Sequence, residues 1–221
     1  MFYQDSRQIY RASELDAIPW LVHGFGTRWS DIPALFANLA TLKQIHSAEC
    51  TAAEGRPGEL GRGDALLEDT PGAVVAVKTA DCVPILLVDE RRRAVAAVHA
   101  GWRGTAAGIA RRAVAAMHER FGSVPADLLA AIGPAIGPCC YEVGPEVAAQ
   151  FGMDGDVHLD LESENRRQLL EAGVAAGKIN GASLCTMCHP EDFHSFRRDR
   201  QSAGRQYTFV GIRPAARANP P

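Results

Sequence analysis

Three apolar runs packed into residues 73–100 restrict the fold of this chain more than any other feature. AVVAVKTA (73–80), PILLVD (84–89) and AVAAVHA (94–100) are short, rich in β-branched residues and separated by turn-like or charged pieces. Runs of this length and composition are expected to be consecutive buried strands. Asp89-Glu90-Arg91-Arg92-Arg93 then reads as a solvated, charged hairpin between two of them. Further strands are expected near 20–25, 43–49, 128–133, 182–186 and 206–212. A helix is expected from Thr105, a good N-cap, to about Arg120, with Ile109, Ala113, Ala116 and Met117 on one face. A second is expected over 162–178, ending at Gly177, with shorter ones near 31–39 and 145–151. The strands cluster without regular βαβ alternation, which favours an α+β fold over a doubly wound sheet.

A chain of 221 residues with 47% hydrophobic and 22% charged residues suits one globular domain spanning 1–221. There is no repeat or linker, and the tail at 213–221, ending PAARANPP, is expected to fray. The net charge of −3 supplies no field to draw nucleic acid or an anionic membrane. No run is long enough to span a bilayer, and MFYQDSRQIYRASEL lacks the pattern of a secretory signal. A cytoplasmic location with reduced cysteines follows as an expectation. The cations are nearly all arginine, the lysines being Lys43, Lys78 and Lys178. Arginine matches phosphate and carboxylate, although arginine-rich codon usage explains the bias equally simply.

Three short segments place reactive side chains at the edges of apolar strands, where sites are usually built. They are Lys43–Ser47 (KQIHS), Thr79–Pro84 (TADCVP) and Val98–Thr105 (VHAGWRGT). In the last, Gly101 and Gly104 bracket Trp102 and Arg103 before a helix. Free amides there, with Arg103 beside them, suit an anion such as phosphate; a glycine-rich turn holding a packed tryptophan is the plainer alternative. Cys82 is a small core hydrophobe, a nucleophile or a metal ligand. If His46, Cys82 and His99 converge, two imidazoles and a thiolate suit a zinc ion with an open fourth position. Asp81 is the nearest carboxylate, with turn or helix capping as its other reading.

CTMCH (185–189) matches the attachment motif of c-type haem, but that chemistry belongs outside the cytosol and five-residue matches arise by chance. A structural zinc on Cys185, Cys188 and His189 lacks an obvious fourth ligand nearby in the sequence. A strand end followed by a turn is the favoured reading.

KQIHS, GRGDALL, KTADCVPILL, AVHAGWRGT, IGPAIGPCCYEVG and HSFRRDR followed by GRQ occur in order over about residues 43–212. On these stretches the chain resembles the YfiH-type family, long labelled multicopper polyphenol oxidase or laccase-domain proteins. That family is now regarded as zinc-dependent purine nucleoside phosphorylases that also deaminate adenosine. The resemblance implies a layered sandwich of mixed β-sheets flanked by helices, related to the CNF-type Cys-His hydrolases. It implies zinc on His46, Cys82 and His99, and purine nucleosides and phosphate as small-molecule partners, in a monomer or homodimer. It implies a substrate pocket built by the FHSFRRDR and CCYEVG segments, with Arg198 and Cys140 there; phosphate is expected to be held by Arg103 or Arg198. The related hydrolases suggest an alternative in which Cys82 is a nucleophile and His99 its base. The older label implies a copper-dependent oxidase, yet histidines 23, 46, 99, 118, 158, 189 and 194 contain no His-x-His pair. Copper remains possible at the His/His/Cys set. The region 1–42 is shorter than usual: HGFGTR (23–28) is followed within twenty residues by His46. Phe196 replaces the tyrosine of the family's SYRRD, removing a hydroxyl.

Overall fold

The computed structural model describes residues 1–214, and the rest of the expected tail, residues 215–221, lies outside them. Among the described residues the strands form a seven-stranded sheet, a six-stranded sheet and a two-stranded ribbon. The first sheet runs Phe2–Gln4, Tyr10–Ala12, Leu21–Phe25, Gln206–Ile212, Val74–Thr79, Leu39–Lys43, Gly58–Arg62. The second runs Ile179–Gly181, Leu129–Ile132, Val83–Asp89, Ala94–Ala100, Ala65–Glu68, Cys50–Ala52. Both mix parallel and antiparallel pairs. No helix is long and apolar enough to cross a membrane.

The apolar runs lack polar alternation because both sheet faces are covered. Leu86, Val88, Val95 and Ala97 point into the interface with Val75, Val77 and Val210 of the first sheet. Their neighbours Ile85, Leu87, Ala96 and Val98 face the other way, onto Ile109, Ala113 and Met117 of the helix Ile109–Phe121 and Leu161 and Leu169 of the helix Leu161–Glu171. On the outer face of the first sheet, Ile9 and Ile32 meet Ala76 and Phe209. The layers are thus short elements, sheet, sheet, helices: an α+β sandwich with flanking helices.

Several local expectations are corrected. The helix predicted from Thr105 is two helices, Trp102–Ala106 and Ile109–Phe121, broken at Gly108 with φ 79°. Thr105 does not cap; it is buried inside the first, and its hydroxyl accepts from Asn165 Nδ2 at 2.9 Å. The second long helix ends at Glu171, before Gly173 with φ 95°, and is capped by Asp160. The strand predicted over 43–49 is Leu39–Lys43 followed by a loop, and that near 182–186 is Ile179–Gly181. The three runs do form strands, but the first, Val74–Thr79, belongs to one sheet and Val83–Asp89 to the other. The chain crosses between sheets over residues 80–82. It crosses again between Lys43 and Cys50, and the two crossings lie side by side. Gln44 joins them, donating from Nε2 to the Lys78 carbonyl at 2.7 Å and accepting from the Lys78 amide at 2.8 Å.

Candidate functional site

Strand register brings the reactive residues together. Ala100 pairs with Val83 and His99 with Pro84, so one further step sets Cys82 opposite Gly101. On the other side Val98 pairs with Ala65, and the next step sets His99 opposite Asp64, whose carbonyl accepts the His99 amide at 2.7 Å. His46 arrives from the neighbouring crossing. The ligand-type atoms of His46, Cys82 and His99 lie within 4.8 Å of one another. The two imidazole rings meet edge to face with centroids 4.9 Å apart. Gly101 leaves room for them: a Cβ there would stand 2.9 Å from Cys82 Sγ and 3.0 Å from His46 Cδ2.

Asp64, within GRGDALL but not singled out by its chemistry, organises this cluster. It is fully buried. Its Oδ1 accepts from the His46 amide at 3.0 Å and meets His99 Nδ1 at 2.8 Å. Its Oδ2 accepts from the amides of Ile45 (3.3 Å) and Ser47 (2.7 Å) and from Ser47 Oγ (2.8 Å). A residue in left-handed backbone costs energy, and His46 has φ 58°. The amides wrapped around Asp64 offset that cost. With Nδ1 committed to Asp64, Nε2 is the free nitrogen of His99, which is how metal-binding imidazoles are commonly oriented.

The charges reinforce one another. Burial opposes ionisation of Cys82, but the His99 and His46 imidazoles outweigh it and bring the thiol down to about 6. Burial likewise opposes charge on His99, and the Cys82 thiolate and Asp64 outweigh it, raising it to about 9. Against its own burial, the His99 hydrogen bond and the Ser47 donors hold Asp64 at about 2. The donor set fits zinc: one sulfur and two imidazole nitrogens, the His99 ring held by Asp64, and an open side. That open side faces a cavity of about 790 Å³.

The cavity wall is cationic. Lys43, Lys78, Arg103, Arg197, Arg200 and Arg205 line it, against the acids Glu59 and Asp81. Trp102, Ile136, Tyr141 and Phe196 supply its apolar surface. Arg103 stacks on Trp102 and Arg197 on Tyr141, with guanidinium carbons 4.3 and 5.1 Å from the ring centroids. Spacing along the chain offered no sign that Arg197, Arg200, Arg205 and the two lysines share one wall, because three separate segments contribute them.

Of three further residues expected at the pocket, Asp81 lines it with its oxygens already occupied, and Arg198 and Cys140 lie off its wall. Asp81 lines the cavity, but Thr186 Oγ1 (2.7 Å) and the Arg197 amide (2.6 Å) occupy its two oxygens. Its backbone is left-handed, φ 84°, where the chain turns between sheets. This is the capping geometry. Arg198 is absent from the wall: its guanidinium donates to the carbonyls of Thr186, Met187 and Phe193 and pairs with Asp199. In a helical turn adjacent side chains diverge by about 100°, so Arg197 enters the cavity and Arg198 turns away. Cys140 also lies off the wall, with Sγ 3.4 Å from Cys188 Sγ; the next residue, Tyr141, lines the cavity. Of the other histidines, His23, His118 and His158 each contact a backbone group, and His189 pairs with Glu191. None joins a metal-capable cluster among the described residues.

The family described as multi-copper polyphenol oxidoreductase laccase matches residues 28–213. A purine nucleoside phosphorylase of Bacteroides thetaiotaomicron is 39% identical over 176 residues, which are 73% of this chain and 65% of that protein. The chain thus spans just under two thirds of that relative's length. The purine nucleoside phosphorylase YfiH of Escherichia coli is 39% identical over 183 residues, 77% of this chain and 72% of that one. In three dimensions the chain resembles YlmD from Geobacillus stearothermophilus, with a TM-score of 0.89 at 30% identity, covering 96% of this chain and 98% of that one. YfiH from Bacillus licheniformis superposes with a TM-score of 0.88 at 29% identity, covering 96% and 99%.

Proposed function

This chain belongs to the multi-copper polyphenol oxidoreductase laccase family, and from that premise we propose that it is a purine nucleoside phosphorylase acting on adenosine and inosine, with adenosine deamination as an accompanying reaction. The observation that carries the reading is the His46–Cys82–His99 cluster opening into a cavity walled by six cations. The relatives' name, purine nucleoside phosphorylase, supplies the substrate class. The cation-rich wall argues for phosphate rather than a polyphenol, which needs no such charge.

His46, Cys82 and His99 would hold zinc, which supplies Lewis-acid polarisation of a bound oxygen. Phosphorolysis moves phosphate onto the anomeric carbon while the purine leaves. The protein must hold the phosphate, offset charge as it moves, and exclude competing water. Arg103, anchored on Trp102, presents its guanidinium to the phosphate in a fixed plane. Arg197, Arg200, Arg205, Lys43 and Lys78 surround it. Tyr141 and Phe196 offer aromatic faces to the purine. Asp81, with both oxygens occupied, holds the helix carrying Arg197 against the crossing and acts as a positioning residue.

One observation favours a second reading. Asp64, His99 and Cys82 form a carboxylate–imidazole–thiol relay of the kind that drives cysteine hydrolases. The discriminating experiment is chromatography of products from adenosine with and without phosphate, using zinc-loaded protein. Free adenine that requires phosphate supports phosphorolysis, and inosine supports deamination at the same site. Absence of both products, with hydrolysis of an amide substrate that Cys82→Ala abolishes, would replace this reading by the hydrolase.

A further inference from the structure

Four of the six cysteines, none of them Cys82, gather at one point that the reaction does not use. Cys139 and Cys140 lie on the turn after Leu129–Ile132, and Cys185 and Cys188 on the turn after Ile179–Gly181. Their sulfurs all lie within 4.8 Å of one another, Cys140 to Cys188 at 3.4 Å and Cys139 to Cys188 at 3.7 Å. All four are free thiols. A disulfide would bring two sulfurs to about 2.05 Å. Four thiolates around one zinc, at about 2.3 Å each, stand about 3.8 Å apart if tetrahedral. The observed spacing matches the second arrangement.

The backbone is also shaped for it. The Gly137 amide donates to Cys185 Sγ at 3.3 Å, and the Cys188 and His189 amides both donate to the Cys185 carbonyl at 3.2 Å, closing the turn that carries Cys185 and Cys188. A tight Cys-x-x-Cys turn whose first sulfur accepts an amide from the facing turn is prepared for a thiolate bound to a metal. On the facing turn, the Cys140 and Tyr141 amides both donate to the Gly137 carbonyl at 3.0 Å, which folds the adjacent cysteines to one side. The turns are already joined: Ala135 and Cys185 form a parallel bridge, with the Thr186 amide on the Ala135 carbonyl at 2.9 Å. The two ligands that complete Cys185 and Cys188 are Cys139 and Cys140, about 45 positions earlier in the chain, and His189 is not needed.

We propose that Cys139, Cys140, Cys185 and Cys188 bind a structural zinc ion as a tetrathiolate, separate from the His46–Cys82–His99 cluster. A closed, all-sulfur set leaves no open position for a substrate, so its role is structural. It would staple the two turns behind the cavity wall, beside Ile136 and Tyr141 on one turn and Thr186, which holds Asp81, on the other. The proposal does not depend on the reaction assigned to the cavity.

The test is elemental analysis of the full chain purified under reductant, loaded with zinc and desalted. Two zinc ions per chain are expected in the unaltered protein, one in Cys188→Ala, one in Cys82→Ala and none in the double variant. Cobalt substitution adds a signature: the strong sulfur-to-cobalt charge-transfer absorption of a four-thiolate site should vanish in Cys188→Ala and persist in Cys82→Ala. If Cys188→Ala does not fold, Cys139→Ser carries the same measurement. A single zinc that Cys82→Ala removes and Cys188→Ala retains would overturn the proposal. So would a Cys140–Cys188 disulfide in reductant-purified protein that takes up no second zinc.

Discussion

Asp64→Asn tests the organisation of the site most directly. The substitution keeps shape and volume but turns one oxygen into a donor. Oδ1 faces the His46 amide and His99 Nδ1; Oδ2 faces two amides and the Ser47 hydroxyl. Whichever way the amide group is placed, its NH2 confronts backbone donors that cannot rotate away. The carboxylate sits at about 2 against its ordinary 3.8, a difference worth about 2 kcal/mol. Because the folded value is depressed, that stability is fully present above 3.8 and disappears as pH falls through about 2. At neutral pH the variant therefore loses all of it, about 4–8 °C in unfolding midpoint for a chain of this size. The effect on metal is separate. With Asp64 replaced, His99 loses the partner that fixes its ring and His46 the anchor for its left-handed backbone, so zinc affinity should fall about 10–100-fold. Chelator competition monitored at equilibrium, with thermal unfolding of the metal-free protein, measures both. Unchanged zinc affinity together with an unchanged midpoint would refute the role given to Asp64.

Gly101→Ala should weaken zinc retention during dialysis against a chelator while leaving the circular dichroism spectrum intact. Its φ of −72° accepts any residue, so the harm comes only from a methyl crowding Cys82 and His46; wild-type retention would mean the cluster does not need that space. In metal-stripped protein, alkylation of Cys82 followed by peptide mapping should rise with pH around a midpoint of about 6, and Asp64→Asn should move the midpoint upward. The sign follows from the thiolate being the nucleophile: below about 6 the thiol is protonated and reaction slows. A midpoint near the ordinary 9.0 would show that the imidazoles do not stabilise the thiolate.

Much of the fold is written in local patterns, which a sequence displays directly. Val74–Thr79, Val83–Asp89, Ala94–Ala100 and Gln206–Ile212 follow from apolar runs whose length and branching suit strands. His46, Cys82 and His99 stood out because each interrupts or ends such a run with a side chain of ligand chemistry. Element ends were less legible: Gly108, with φ 79°, breaks the expected helix in two, and Thr105 lies inside the first piece, bonded to Asn165 rather than capping. What the tertiary structure alone decided are the meetings between distant segments. The chain passes from the first sheet to the second at residues 44–49, 63–64 and 80–82, and those crossings bring together His46, Asp64 and Cys82, with Asp64 bonded to His46 and His99. Helical geometry, invisible in FRRD as letters, sends Arg197 into the cavity and Arg198 away from it. CTMCH looked incomplete for the same reason: Cys139 and Cys140, far off along the chain, reach it only through the pairing of Ala135 with Cys185. Periodicity encodes which residues are buried, whereas convergence depends on strand order and register, which arise only once the sheets have packed.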